Sequence, residues 1–152
     1  MTSATMATVQ QLLDAKGHHL WSVAPDDTVY SAISLMADKD VGALPVVEGD
    51  VLVGIITERH YARDIALKGR RSPHTLVRDI MEEALICTRP GQTIDRCMRL
   101  MTEHRVRHLP VVDDGKILGI VSIGDVVKSI IDDQKFVIEE LEGYIHGHPA
   151  KH

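Results

Sequence analysis

The chain has 152 residues, with 22 acidic against 17 basic side chains, a net charge of −5 and a pI near 5.9. That length suits one compact unit, or two small halves sharing a core, and needs neither metal nor disulfides to bury roughly two-thirds of the unfolded surface. An acidic chain with few aromatics (Trp21, Tyr30, Tyr61, Phe136 and Tyr144) lacks both the basic field of a nucleic-acid coat and the rings of a base-stacking platform.

No apolar run approaches the roughly 18 residues of a membrane span. Cys87 and Cys97 are too few for a disulfide framework, and the start MTSATMATVQ lacks the basic and apolar regions of a secretory signal. Reduced thiols in the cytoplasm are therefore expected.

In chain order, Trp21-Ser22-Val23 reads as a short leading strand. Asp26-Asp27-Thr28 then precedes Val29, Ala32, Ile33, Leu35 and Met36, which share one helix face. Two buried strands follow, Ala43 to Val47 and Val51 to Ile56, flanking a Glu48-Gly49-Asp50 turn. A second helix starts near Thr57, and the stretch from Lys68 to His74, rich in Gly, Arg, Ser and Pro, is the expected connector. The same order returns: a leading strand at Ile86-Cys87-Thr88, a helix, a hairpin turning at Asp113-Asp114-Gly115, and a helix from near Ser122. From Val126, the positions Val127, Ile130, Ile131, Gln134, Val137, Ile138 and Leu141 predict a long closing helix that stops near Gly143, with Gly147-His148-Pro149 in a frayed tail. Pro45 and Pro110 cannot donate to a ladder, so each belongs at an edge or near a strand start.

Sliding the chain against itself pairs Pro25 with Pro90, Thr28 with Thr93, Leu44-Pro45-Val46-Val47 with Leu109-Pro110-Val111-Val112 and Gly54-Ile55 with Gly119-Ile120, each pair 65 residues apart. Upstream, Val9-Gln10-Gln11-Leu12-Leu13 matches Val77-Arg78-Asp79-Ile80-Met81 at a spacing of 68, which puts three extra residues in the first copy around Gly17-His18-His19. Two copies of one supersecondary unit bury their apolar faces on each other. The fold class is α/β (α+β), with two pseudo-symmetric repeats, each a small β-sheet packed against helices. The repeats span residues 9–68 and 77–135, and residues 136–152 form the helix end and a flexible tail.

Tandem ALPVV-EGD-VLVGIIT and HLPVV-DDG-KILGIVS hairpins, each between helices and each after a Pro-x-x-Thr, closely resemble the cystathionine-β-synthase (CBS) domain family. The resemblance runs from about Val9 to Ile131 and is to a stand-alone pair, or Bateman module. It implies a regulatory protein rather than an enzyme. It also implies clefts between the repeats that take adenine ligands (AMP, ADP, ATP, NAD(H) or S-adenosylmethionine derivatives), a homodimer formed through helices, and an unidentified partner protein that reads the signal.

In the second copy Ser122 and Asp125 stand at the strand-to-helix junction, where a hydroxyl and helix amides suit phosphate and a carboxylate suits ribose hydroxyls. The same Ser-x-x-Asp spacing is also a capping box that needs no ligand. The first copy has Thr57-Glu58-Arg59-His60, so His60 stands where the family has its ribose-binding Asp. A neutral His60 accepts one ribose hydroxyl, and its charged form favours phosphate as pH falls toward about 6.5; the competing reading is a surface histidine. Arg107 and His108 precede the second repeat's first hairpin strand, and Arg107 can fork onto a phosphate where Gly42 of the first copy cannot. Arg59, Arg63 and Lys68 are further phosphate candidates, or else, like Arg105, Arg107 and His104 balanced by Glu103 and Asp113, a solvated charged surface. Adenine-wall candidates are Trp21, Val23, Leu44 and Pro45 for the first site and Ile86, Leu109, Pro110 and Val121 for the second, residue types that are more often plain core than ligand wall.

Other chemistry is weak. Neither Gly-x-Gly-x-x-Gly nor Gly-x-x-x-x-Gly-Lys-Ser/Thr occurs. No metal is expected, since His146, His148 and His152 fall in the tail. Cys87 and Cys97 lack an adjacent His–acid pattern and read as structural thiols. Met36, Met98 and Met101 serve either a dimer surface or the core. The rival to a ligand sensor is a docking protein with a vestigial first site.

Overall fold

The computed structural model describes residues 7–69 and 72–145. Helix α1 (Val9–Lys16) opens on a capping box, with the Thr8 hydroxyl accepting from the Gln11 amide and the Gln11 side chain accepting from the Thr8 amide, and ends at Gly17 with φ 100°. Helix α2 (Val29–Lys39) is capped by Thr28 and closed by Asp40 in the left-handed region. The hairpin β1 (Ala43–Glu48) and β2 (Val51–Thr57) leads into one α-turn, α3 (Glu58–Tyr61), that continues as a π-turn at Ala62–Ala66. The connector contributes a 3-10 turn at Ser72–His74, and a second 3-10 turn spans Val77–Asp79. Helix α4 (Ile94–His104), hairpin β3 (His108–Asp113) and β4 (Lys116–Ser122), and helix α5 (Ile123–Ile145) complete the chain.

The duplication survives at atomic detail. Thr28 and Thr93 cap α2 and α4, and Asp40 and Arg105 close them at φ 55°. Each hairpin carries a register shift at the same place, Val46/Val47 and Val111/Val112. The predicted leading strands shrink to single parallel bridges, Val23 to Val46 and Thr88 to Val111. Pro25 and Pro90 follow within two residues and lack the N–H that would extend the pairing. Pro45 and Pro110 sit third in their strands, and their carbonyls accept from the amides of Val23 and Thr88. Each proline therefore lies near a strand start, on an edge that the bridge covers.

The core differs from a shared apolar face between repeats. Two clusters form, and the leading segments are exchanged between them. Val9, Leu12 and Leu13 of α1 pack with Ile94, Met101, Leu109, Val111 and Val121 of the second repeat. Val77 and Ile80 pack with Val29, Met36, Leu44, Val46 and Ile56 of the first. Backbone bonds fix both exchanges: Val9 N–H to Gln92 O at 2.9 Å and Ile94 N–H to Ala7 O at 2.9 Å on one side, Val77 N–H to Asp27 O at 2.8 Å and Val29 N–H to Thr75 O at 2.8 Å on the other. The three extra residues of the first copy accompany a longer element, since α1 has two turns where Val77–Asp79 is a single 3-10 turn.

Met36 and Met101 are buried and Met98 packs on the core, so these methionines are core residues. The closing helix begins at Ile123 and runs through Gly143 to Ile145. A glycine costs a helix interior only about 1 kcal/mol, so Gly143 alone does not end it. Gly147-His148-Pro149 and the histidines at 146, 148 and 152 lie outside the described residues, as do Arg70 and Arg71.

Candidate functional site

The first strand-to-helix junction faces the loop that precedes the first hairpin strand of the other repeat. Thr57, Arg59, His60 and Arg63 thus face Arg105, Arg107 and His108 across a cleft of about 840 Å³. The volume is within the range of small-molecule sites, about 300–1,000 Å³. A smaller cleft of about 70 Å³ lies beside β4, lined by Lys16, Trp21, Leu44, Pro45, Leu118 and Ile120, and reaches neither Ser122 nor Asp125.

The larger cleft collects positive charge in an acidic chain. Arg59, Arg105 and Arg107 are exposed and form no ion pair within 4.0 Å among the described residues. Arg63 pairs only loosely with Asp64 at 3.5 Å, and Lys68 is held by Asp64 at 3.2 Å. Glu58 and Glu82 also line the cleft, and no ion pair joins Arg105, Arg107 or His104 to Glu103 or Asp113. Gly42 forms part of the cleft wall, where a Cβ would meet Glu58 Oε1 at 3.2 Å and His108 Nε2 at 3.5 Å.

His60 is a capping residue, as Asp125 is at the other junction. The Thr57 amide donates to His60 Nδ1 at 3.1 Å, and the His60 amide donates to the Thr57 hydroxyl at 3.2 Å. An Nδ1 that accepts carries no proton, so the neutral ring presents Nε2–H as its donor. Burial first, then the Arg63 guanidinium, lowers the His60 pKa below the ordinary 6.5. The expectation of a charged His60 near pH 6.5 is thereby corrected, since the imidazolium forms only at lower pH and would lose the Thr57 amide bond. Burial likewise lowers the His108 pKa, with the Asp125 carboxylate opposing and Lys16 and Arg107 assisting.

At the second junction the Ser122 amide donates to Asp125 Oδ2 at 2.9 Å and the Asp125 amide donates to Ser122 Oγ at 3.1 Å. Lys16, arriving from the exchanged α1, donates to the same Oδ2 at 2.6 Å and to the Ile120 carbonyl at 3.0 Å. Burial pushes the Asp125 carboxyl up, but the bonds from Lys16 and Ser122 outweigh it and hold the pKa below the usual value. The carboxylate expected to meet ribose is therefore already paired.

The helix amides are also less available than the sequence implied. Glu58 N–H donates to Gly42 O at 3.1 Å and Ile123 N–H to Arg107 O at 2.9 Å. Two of the first three amides at each junction are thus satisfied internally, and an anion must be held chiefly by side chains.

The remaining candidates divide between walls and core. Trp21, Leu44 and Pro45, expected around the first junction, line the smaller cleft beside the second repeat. Arg107 and His108, paired by sequence with the second junction, line the cleft of the first. Val23, Leu109 and Val121 are core, Pro110 is buried, and Ile86 packs on the second cluster. The Trp21 ring stacks on His19 at 5.6 Å between centroids and has the Lys39 ammonium 5.4 Å away. Burial pushes the Cys87 and Cys97 thiols up, which leaves neither as a thiolate at neutral pH. Among the described residues no group of three or more His, Cys, Asp or Glu is placed to hold a metal ion, and no helix is long and apolar enough to cross a membrane. Sequence reasoning missed Lys16 and Glu82. The one available signal was the spacing change from 65 to 68 just beyond α1.

Two repeats with exchanged leading segments make a tandem module, and the CBS domain model matches the chain twice, at residues 9–66 and 77–132, so the chain belongs to the CBS domain family. It is 46% identical over 138 residues to the mitochondrial CBS domain-containing protein CBSX3 of Arabidopsis thaliana, covering 88% of this chain and 66% of that one. It is 38% identical over 104 residues to the CBS domain-containing protein YhcV of Bacillus subtilis, covering 68% and 74%. A solved CBS-domain structure from Burkholderia ambifaria MC40-6 superposes with a TM-score of 0.80 at 52% identity, covering 84% of this chain and 96% of that one.

Proposed function

We propose that this CBS pair binds an adenine nucleotide in the larger cleft and passes the occupancy of that site to a partner protein as a signal of energy or redox state. In this reading Arg107, Arg105 and Arg59 hold phosphate, and Thr57 and the His60 Nε2–H address the ribose. The observation that carries it is the concentration of Arg59, Arg63, Arg105 and Arg107 in one nucleotide-sized cleft of a chain with net charge −5. Ligand contacts to both walls would make binding sensitive to the arrangement of the repeats, so a ligand preferring one arrangement shifts the population toward it. The free thiols, Cys97 buried and Cys87 half-buried, fit a reducing compartment, either cytoplasm or, as the name of the Arabidopsis relative states for that protein, the mitochondrion.

Calorimetric and thermal-shift titrations with AMP, ADP, ATP, NAD, NADH and S-adenosylmethionine test the proposal, because a ligand that binds the native state alone raises the Tm with concentration. Arg107→Ala is expected to weaken AMP about ten- to a hundredfold, the effect of losing a charge-assisted bond, while adenosine is little affected. No shift with any of the six ligands would favour a docking protein. That second reading is supported by the apolar side chains left exposed along α5. The first reading gives that face instead to a second copy of the chain, in a homodimer.

A further inference from the structure

We propose that Lys16 is a built-in occupant of the second strand-to-helix junction, its ammonium standing where a ligand's cationic or hydroxyl groups would meet Asp125, so that each chain takes one nucleotide rather than two. The inference rests on the reading of the larger cleft as a nucleotide site and adds the residue that sets its stoichiometry.

Two observations converge on Lys16. Its Nζ lies 2.6 Å from Asp125 Oδ2 and 3.0 Å from the Ile120 carbonyl, which ties the junction carboxylate to the strand beside it. The equivalent carbonyl in the first repeat, Ile55 O, accepts instead from the backbone amide of Glu82 at 2.9 Å, while Ile55 N–H donates to Glu82 O at 3.0 Å. Main chain thus closes the first position, and among the described residues no charged side chain makes an ion pair with His60, on which Arg63 and Glu82 act only at longer range.

The asymmetry follows from the exchange of leading segments. Helix α1 belongs to the first repeat by sequence, but Leu12 and Leu13 seat it on the second repeat's core, and Leu13 reaches the space beside Gly119. Because α1 keeps two turns, its last residue reaches the second junction; the single 3-10 turn of Val77–Asp79 ends too early to do the same. A ligand entering at the second junction must break a charge-assisted bond that costs the chain no association entropy, whereas the larger cleft offers Arg59, Arg105 and Arg107, which form no ion pair among the described residues.

Calorimetry with AMP on the wild-type chain and on Lys16→Met, which keeps the apolar stem and removes the charge, reads the stoichiometry directly. One site in the wild type and two in Lys16→Met is the expected result, and adding Asp125→Ala to Lys16→Met should return it to one. Two sites in the wild type, or one in both proteins, overturns the role of Lys16 and leaves nucleotide binding in the larger cleft standing. No binding to the wild type with one site in Lys16→Met overturns the larger cleft as the site and upholds Lys16 as the occupant; no binding to either overturns both. Should Lys16→Met fail to fold, Lys16→Gln, neutral and still a hydrogen-bond donor, carries the same expectations.

Discussion

His60 and His108 share an electrostatic condition that fixes how the protein answers acid. Both pKa values are lowered in the folded chain, by burial first and then, respectively, by Arg63 and by Lys16 with Arg107. A histidine whose folded pKa lies below its unfolded value of about 6.5 binds protons more readily when the chain is unfolded, so stability rises with pH between the two values. Their contribution is complete above about pH 6.5 and is lost as pH falls through the lower folded values. Urea unfolding at pH 7.5, 6.5 and 5.5 should therefore give midpoints that decline below pH 6.5. His60→Asn, which keeps a capping acceptor without titrating there, should flatten the decline; an unchanged profile would place the effect elsewhere. Residue identity revealed part of this in advance. Arg107 and His108 stood out as basic groups before a strand, and Thr57 and His60 as a junction pair. Lys16 did not, because its partner Asp125 is 109 residues away and helix periodicity only places Lys16 on a helix, not against a particular carboxylate.

Among the elements, helices α2 and α4 and the two hairpins were readable because each carries its own signal: a Thr cap, apolar spacing, a turn between β-branched runs. Where each leading segment packs was not readable. Val9 to Leu13 and Val77 to Met81 have the same apolar pattern, which says that they are buried but not on which repeat. The close approach that the exchange demands explains the glycine in each Gly-Ile pair. A Cβ on Gly54 would meet Met81 Sδ at 2.7 Å and the Glu82 carbonyl at 3.0 Å, and that carbonyl is committed to the Ile55 amide. A Cβ on Gly119 would meet only the Leu13 side chain, at 3.0 Å. Gly54→Ala should accordingly cost about 1–3 kcal/mol, the range for overpacking against atoms that cannot retreat, and Gly119→Ala less, since a leucine terminus can rotate. Chemical denaturation of the two variants compares them directly, and equal losses would show that the Glu82 backbone yields as easily as Leu13.

For the whole molecule, the open question is what covers α5. Val127, Ile131, Ile138 and Leu141 are 41%, 45%, 54% and 56% exposed, and with Gln134 between Ile131 and Ile138 their spacing alternates four and three residues. That alternation is the seam of helices that pair with helices. The CBS domain match ends at residue 132, so the lower half of the seam extends past the repeats and contributes nothing to either core cluster. A lone exposed leucine needs no explanation, but a continuous stripe marks an interaction surface. A second copy of α5 supplies the same seam and the same polar Gln134 in register, which suits a symmetric pairing of two chains. Light scattering on the purified protein should then give the mass of a dimer, and Ile138→Asp with Leu141→Asp should give a monomer with unchanged nucleotide affinity, because both positions are remote in sequence from the cleft residues. A monomeric wild type would instead assign the stripe to the partner protein, and a variant that loses nucleotide binding along with its dimer would mean that the cleft is completed only in the assembled pair.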